Sequence, residues 1–217
     1  MGFKDFYYVL EKSHYYYELS SGLFDVGVEP LSAIWGFNNK EFIFPKSEDI
    51  NDILNISGFD KIKLLNNNTI IKNNDKVKIS LNAIAKGYAV DEISEYFESN
   101  GVKNYMVEIG GEVRTKGGNS SGEEWKIGIS FFELDAKNIV KYISISNGSL
   151  ATSGDYRNFI FYNDESYSHV INPITGYPTK NNVVSSTVIT NNCIDADALA
   201  TILNVMSIDR SINFINE

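Results

Sequence analysis

The stretch SLNAIAKGYAVDEI, residues 80–93, sets four small residues, Ala83, Ala85, Gly87 and Ala89, around one lysine, Lys86. Small side chains let another group approach the backbone closely, and the lysine adds positive charge. The pattern suits a phosphate-bearing ligand at a helix start, or simply a helix N-terminus packed tightly against a neighbour. Apolar periodicity predicts a helix over AKGYAVDEISEYFESNG, with Gly101 as its terminating residue.

Upstream of this helix, residues 5 to 20 read as a tyrosine-rich helix closed by SSGLFD. VEPLSAIWGF reads as an irregular segment punctuated by Pro30 and Gly36, and SEDINDIL as a short helix. KIKLL, TIIK and KVKIS read as short strands between asparagine-rich turns. Downstream, NYMVEIGGEVRTKG, EWKIGISFF, KYISISN, NFIFYN and SSTVIT read as strands, GGNSSGEE as an exposed hairpin connection, and DADALATILNVM as a closing helix. Strands outnumber helices without alternating with them, which favours an α+β fold, taken as a single domain over residues 1–217.

With 217 residues, of which 43% are hydrophobic, the chain can bury a sizeable core. No stretch is long and apolar enough for a transmembrane helix, and the first residues lack the apolar run and cleavage site of a signal peptide. The net charge of −9 argues against nucleic-acid binding. Cys193 is the single cysteine, which leaves no internal disulfide and reads as a small buried hydrophobe.

Four short motifs hold groups capable of chemistry. In DADALAT, Asp197 and Thr201 lie one helical turn apart and offer hard oxygens of the kind Mg²⁺ or Ca²⁺ takes; an N-cap aspartate beside an ordinary threonine is the plainer reading. In YSHVINPITGYP, His169 ends a strand before a loop, where a histidine serves either as a proton acceptor or as a strand residue bonded to backbone. The glycines of EIGGE (Gly110, Gly111) and ATSGD (Gly154) admit close backbone approach or mark turns, and the latter run continues to Asp155 and Arg157. In IWGF, Trp35 and Phe37 would bracket a flat ligand or fill a core. His14, in the tyrosine-rich helix, reads as structural.

Taken in order, SGLFDVGVEPL…WGF, IAKGYAVDEI, VEIGGEV, ATSGDYR, SHVINPITGYP and ADALAT closely resemble the ApbE family of FAD-dependent FMN transferases, from about Leu19 to Met206. The resemblance implies an ApbE-like fold with a mostly antiparallel sheet and packed helices. It implies Mg²⁺ held by the Ala83 carbonyl, Asp197 and Thr201. It also implies FAD contacts from Trp35, Gly36, Phe37, Ser80, Lys86 and Ile171, with the small residues at 83, 85 and 87 admitting ligand and metal. The implied reaction moves FMN from FAD to a threonine hydroxyl of an acceptor protein with release of AMP, and His169 is the candidate base. With water in place of the threonine, the site becomes an FAD pyrophosphatase; loss of turnover would leave a flavin-binding or flavin-trafficking protein.

Two positions depart from the family pattern. Ser80 stands where an aspartate is usual, and Asn172 replaces the aspartate of His-x-x-Asp-Pro, removing a carboxylate near His169. Judged against the family, the chain is expected to be truncated at both ends. By the same analogy the acceptor would be a membrane redox subunit, and the full-length parent extracytoplasmic and lipid-anchored.

Overall fold

A computed structural model describes residues 3–37, 42, 44–133, 136–154, 159–162 and 165–216. Asp155 and Arg157 lie outside them. Helix α1 (Phe3–Leu19) buries Tyr7, Val9, Leu10, Ser13 and Tyr16 along one stripe, and is tied to the far end of the chain by Lys12 and Tyr16, which donate to Asp195 Oδ1 at 3.0 and 2.8 Å. His14 stacks on Phe59 with ring centres 5.2 Å apart, in keeping with a structural role.

The segment expected to be irregular contains a helix, α2 (Glu29–Ile34). Pro30 sits in its first turn, where no intrahelical N–H is lost, and Gly36 (φ 77°) ends it. The Gly36 and Phe37 N–H groups donate to Ala33 and Ser32 carbonyls, the paired bonds of a Schellman cap. Both apparent breakers are therefore helix start and stop signals.

Helix α3 (Ser47–Ile56) and a 3-10 turn at Phe59–Lys61 lead to the hairpin of β1 (Ile62–Leu65) and β2 (Thr69–Lys72), turned by Asn67 and Asn68 at positive φ. KVKIS forms no strand. Val77 is buried, but the Ser80 N–H donates to the Val26 carbonyl at 2.7 Å, so the segment packs against a loop without joining a ladder.

After α4 (Ala85–Ser99) the predicted strand NYMVEIGGEVRTKG is a hairpin: β3 (Tyr105–Ile109) and β4 (Glu112–Lys116) turn through Gly110 (φ 66°) and Gly111 (φ 108°). GGNSSGEE does not close a hairpin, because it leads from β4 to β5 (Trp125–Glu133), which among the described residues pairs only with β6 (Ala136–Ile145) in a separate sheet. ATSGD is not a turn either. Its described residues, 151–154, belong to β7 (Gly148–Gly154), a central strand in which Ala151 lies against Ala196 and Ala200 of a helix while Thr152, Ser153 and Gly154 line the cavity.

Hairpin β8 (Phe159–Tyr162) and β9 (Glu165–Ser168) precedes β10 (Ser185–Thr190), α5 (Cys193–Val205) and α6 (Ile208–Asn216). The main sheet has the order β10-β7-β4-β3, antiparallel throughout, so the fold is α+β with mostly antiparallel strands. One face carries Tyr105, Val107 and Ala151 against α4 and α5. The opposite face presents Val113, Leu150 and Thr152 to a cavity. Among the described residues no helix is long and apolar enough to cross a membrane.

Helices α4 and α5 cap each other. Asp91 of α4 accepts the Cys193 and Ile194 N–H groups that open α5, at 2.9 and 2.8 Å. Asp197 of α5 accepts the Gly87 N–H in the first turn of α4, at 3.0 Å. Each carboxylate does what an N-cap side chain would, and neither N-cap residue, Ile84 or Asn192, makes a side-chain cap bond of its own. Cys193 is fully buried at this junction and its thiol pKa is raised by burial, which agrees with its reading as a hydrophobe.

Candidate active site

A cavity of about 630 Å³ opens where the start of α4, the middle of α5, the open face of the sheet and strand β5 converge. It is large enough for a dinucleotide-sized ligand to enter in part or whole. Ser80, Ala83, Lys86, His169, Ile171, Asp197 and Thr201 all line it. Residues more than a hundred positions apart in sequence thus meet in one place.

Asp197 is buried, and burial is the main cause that pushes its pKa up to about 6. The Gly87 N–H and Lys86 act the other way, and the charge of Glu112 adds to the rise. It lies inside α5, so the N-cap reading fails, and Thr201 follows one turn later. Because the Gly87 N–H is taken by Asp197, it does not bond the Ala83 carbonyl one turn back, and that carbonyl accepts no backbone hydrogen bond among the described residues. Ala83, Asp197 and Thr201, which carry a carbonyl, a carboxylate and a hydroxyl, all hard oxygens, line one cavity. This donor set fits a Mg²⁺-type ion that retains waters. Among the described residues no cluster of three or more His, Cys, Asp or Glu side chains is arranged for a metal, so a cation here would rely on that mixed set.

Trp35, Gly36 and Phe37 do not line the cavity. The Trp35 ring is fully buried among Phe42, Phe44, Tyr167 and Tyr177, and its Nε1–H donates to the Gly176 carbonyl at 2.8 Å. That bond clamps the 170–179 loop. The loop closes on itself through Ile171 bridging Pro178 and the Thr179 N–H donating to Val170, so Trp35 helps fix the turn that carries His169. Asn172 Oδ1 accepts the Ile174 and Thr175 N–H groups at 2.9 and 3.3 Å. An aspartate could make the same Asx-type turn, and the asparagine retains it.

The sequence reading missed Glu112, quoted only for the glycines before it. It is buried at the head of β4, lines the cavity, and accepts from Lys86 Nζ at 2.5 Å. The same alternation sends Arg114 to Asp91 and Glu98, and Lys116 to Glu98, at 2.7, 3.4 and 2.6 Å. Glu112, Arg114 and Lys116 thus form a charged row facing α4, a pattern visible in the alternation of residues 112–116.

A family model described as the ApbE family matches residues 3–217. The chain belongs to the ApbE family. The FAD:protein FMN transferase of Vibrio cholerae is 41% identical over 194 residues, covering 88% of this chain and 58% of that protein. The Haemophilus influenzae protein of the same name is 36% identical over 214 residues, covering 96% and 62%. Among solved structures, the flavin transferase ApbE from Vibrio cholerae superposes with TM-score 0.82 at 38% identity, covering 95% of this chain and 66% of that one. The ApbE protein of Thermotoga maritima gives 0.85 at 32%, covering 97% and 69%. The chain spans about three fifths of the length of the curated relatives it matches.

A second carboxylate of the cavity wall, the half-buried Asp25, accepts the Gly27 and Phe59 N–H groups at 2.6 and 3.1 Å, yet desolvation outweighs these bonds and pushes its pKa up to about 6. The folded state then holds a proton that the unfolded chain releases near pH 4. Stability from this group is fully present below that pH and is lost as pH rises toward 6. Asp25→Asn is expected to gain up to about 3 kcal/mol on the wild type between pH 4 and pH 7. Urea unfolding at the two pH values checks this; an unchanged difference contradicts it.

Proposed function

We propose that residues 1–217 act as one flavin-transferring unit: a Mg²⁺-dependent FAD:protein FMN transferase that moves FMN to a threonine hydroxyl and releases AMP. The convergence of Ala83, Asp197, Thr201, Lys86 and His169 on one cavity, in a chain of the ApbE family, carries this reading. The curated relatives named above carry the name FAD:protein FMN transferase. The electrostatics support the metal. Five carboxylates (Asp25, Glu29, Glu108, Glu112, Asp197) and two lysines (Lys86, Lys126) line the cavity, so a diphosphate entering alone would meet a surplus of negative charge.

Mg²⁺, when bound, would neutralise diphosphate oxygens and stabilise the charge that develops on the departing AMP. The chain's own groups do the rest. Asp197 is oriented by the Gly87 N–H, Thr201 stands one turn away on the same helix, and Ala83 lines the same cavity. Lys86 offers a cation at the start of α4. The acceptor threonine oxygen attacks the phosphorus on the FMN side, the bond to the AMP oxygen breaks, and the hydroxyl proton passes to His169. Water in the threonine's place would give free FMN and AMP by the same route. The acceptor is inferred to be a membrane redox subunit, and the full-length protein extracytoplasmic, on family analogy.

Incubation with FAD, Mg²⁺ and a threonine-containing acceptor domain distinguishes the two outcomes. Transfer predicts a mass increase on the acceptor equal to FMN less water, lost in His169→Ala by at least about a hundredfold in rate. Free FMN alone, with an unmodified acceptor, would replace the transferase reading by pyrophosphatase activity.

A further inference from the structure

Glu112 and Lys86 form an unequal pair. The Glu112 side chain is 2% exposed, whereas that of Lys86 is 44% exposed. Glu112 Oε1 accepts from Lys86 Nζ, while Oε2 has no hydrogen-bond partner among the described residues. A β-carbon built on Gly110 would lie 3.5 Å from both Oε2 and Lys86 Cδ, so the lysine stem and the glycine turn together cover the carboxylate. If Lys86 swung away, a buried carboxylate would lose its one bonded partner, a loss far costlier than freeing a half-exposed ammonium. Lys86 is therefore held by its neighbour. The polarity is also singular along this seam: elsewhere β4 supplies the base and α4 the acid, through Arg114, Lys116, Asp91 and Glu98.

We propose that Glu112 is a positioning residue that ties down and neutralises Lys86, and so makes binding of the anionic dinucleotide depend on a divalent cation. To an approaching diphosphate the pair presents a dipole of no net charge, in a cavity where carboxylates already outnumber lysines. A divalent cation at Ala83, Asp197 and Thr201 would offset most of that surplus and put positive charge beside the diphosphate. The protein thereby avoids filling its cavity with FAD before the metal needed to cleave it is in place. The inference rests on the reading that the FAD diphosphate lies at the start of α4.

FAD binding, followed by flavin fluorescence at fixed ionic strength in EDTA and in MgCl₂, tests it for the wild type, Glu112→Gln, Glu112→Asp and the Glu112→Gln/Lys86→Met double variant. Glu112→Gln is expected to bind FAD in EDTA roughly tenfold or more tighter than the wild type, with a smaller gain from Mg²⁺. Glu112→Asp, which keeps the charge, should retain the wild-type dependence, and the double variant should lose the metal-free gain. Unchanged or weaker metal-free binding in Glu112→Gln overturns the inference, as does a Glu112→Asp variant that behaves like Gln. If Glu112→Gln does not fold, Lys86→Met decides: it leaves the Glu112 charge unneutralised and is expected to weaken metal-free FAD binding and enlarge the gain from Mg²⁺, and unchanged metal-free binding overturns the inference. Failure of the wild type to bind FAD even in MgCl₂ overturns the functional reading itself, and this inference with it.

Discussion

Asp197→Ala is expected to lower Mg²⁺-dependent AMP release from FAD by at least about a thousandfold, while leaving the protein folded. A metal that stabilises transition-state charge is worth several kcal/mol, and each 1.4 kcal/mol or so is a factor of ten in rate. Asp197 is the single carboxylate in the proposed set Ala83, Asp197 and Thr201, so its loss removes the only formal negative charge that would hold the cation there. Folding should suffer little, because two local effects oppose each other. The variant loses the bond to the Gly87 N–H, a cap worth about 1 kcal/mol, but it also removes a carboxylate whose charge is disfavoured by burial and by Glu112. Thermal unfolding and AMP release measured on the same preparation separate the two. A variant that loses activity only because it unfolds contradicts the assignment.

Gly87→Ala is expected to destabilise the protein by at least about 3 kcal/mol, at the upper end of the cost of overpacking. A β-carbon at this position would lie 2.4 Å from the Cys193 carbonyl oxygen and 2.8 Å from Ile194 Cα. Both are backbone atoms at the start of α5 and cannot swing aside. Helices α4 and α5 would have to separate, breaking the reciprocal capping by Asp91 and Asp197 and moving Thr201 relative to Ala83. Activity should fall with stability. Urea unfolding checks the first claim; a loss below about 1 kcal/mol would show that the helices part easily.

The α4 stretch shows how far the sequence could be read. Its helix, its end at Gly101 and its lysine at the helix start were legible from periodicity and residue type. The purpose of Gly87 was left open between ligand access and tight packing against a neighbour. The resemblance implied that the small residues admit a ligand, and Ala83 does face the cavity, but Gly87 is small because α5 crosses there. Spacing within one segment cannot name the partner that crosses it. The same gap explains ATSGD, whose small residues look like a turn until Ala196 and Ala200 are placed against Ala151. KVKIS alternates like a strand, but a ladder needs a neighbour, and it has only the Val26 loop.

For the site, residue chemistry and ordered motifs together pointed to seven residues that meet in the cavity. Gly36 and Phe37 instead cap α2, and Trp35 clamps the loop that follows His169. Glu112 escaped notice because its importance comes from burial and pairing, which local sequence does not report. Its clue was the alternation of Glu112, Arg114 and Lys116, matched by Lys86, Asp91 and Glu98 on the facing helix.

The most direct test of the account is AMP release from FAD by this chain with Mg²⁺ and with EDTA. AMP that accumulates only with Mg²⁺ is the predicted result and places FAD cleavage in this polypeptide. FAD binding without AMP in either condition would contradict catalysis and leave a flavin-binding member of the ApbE family.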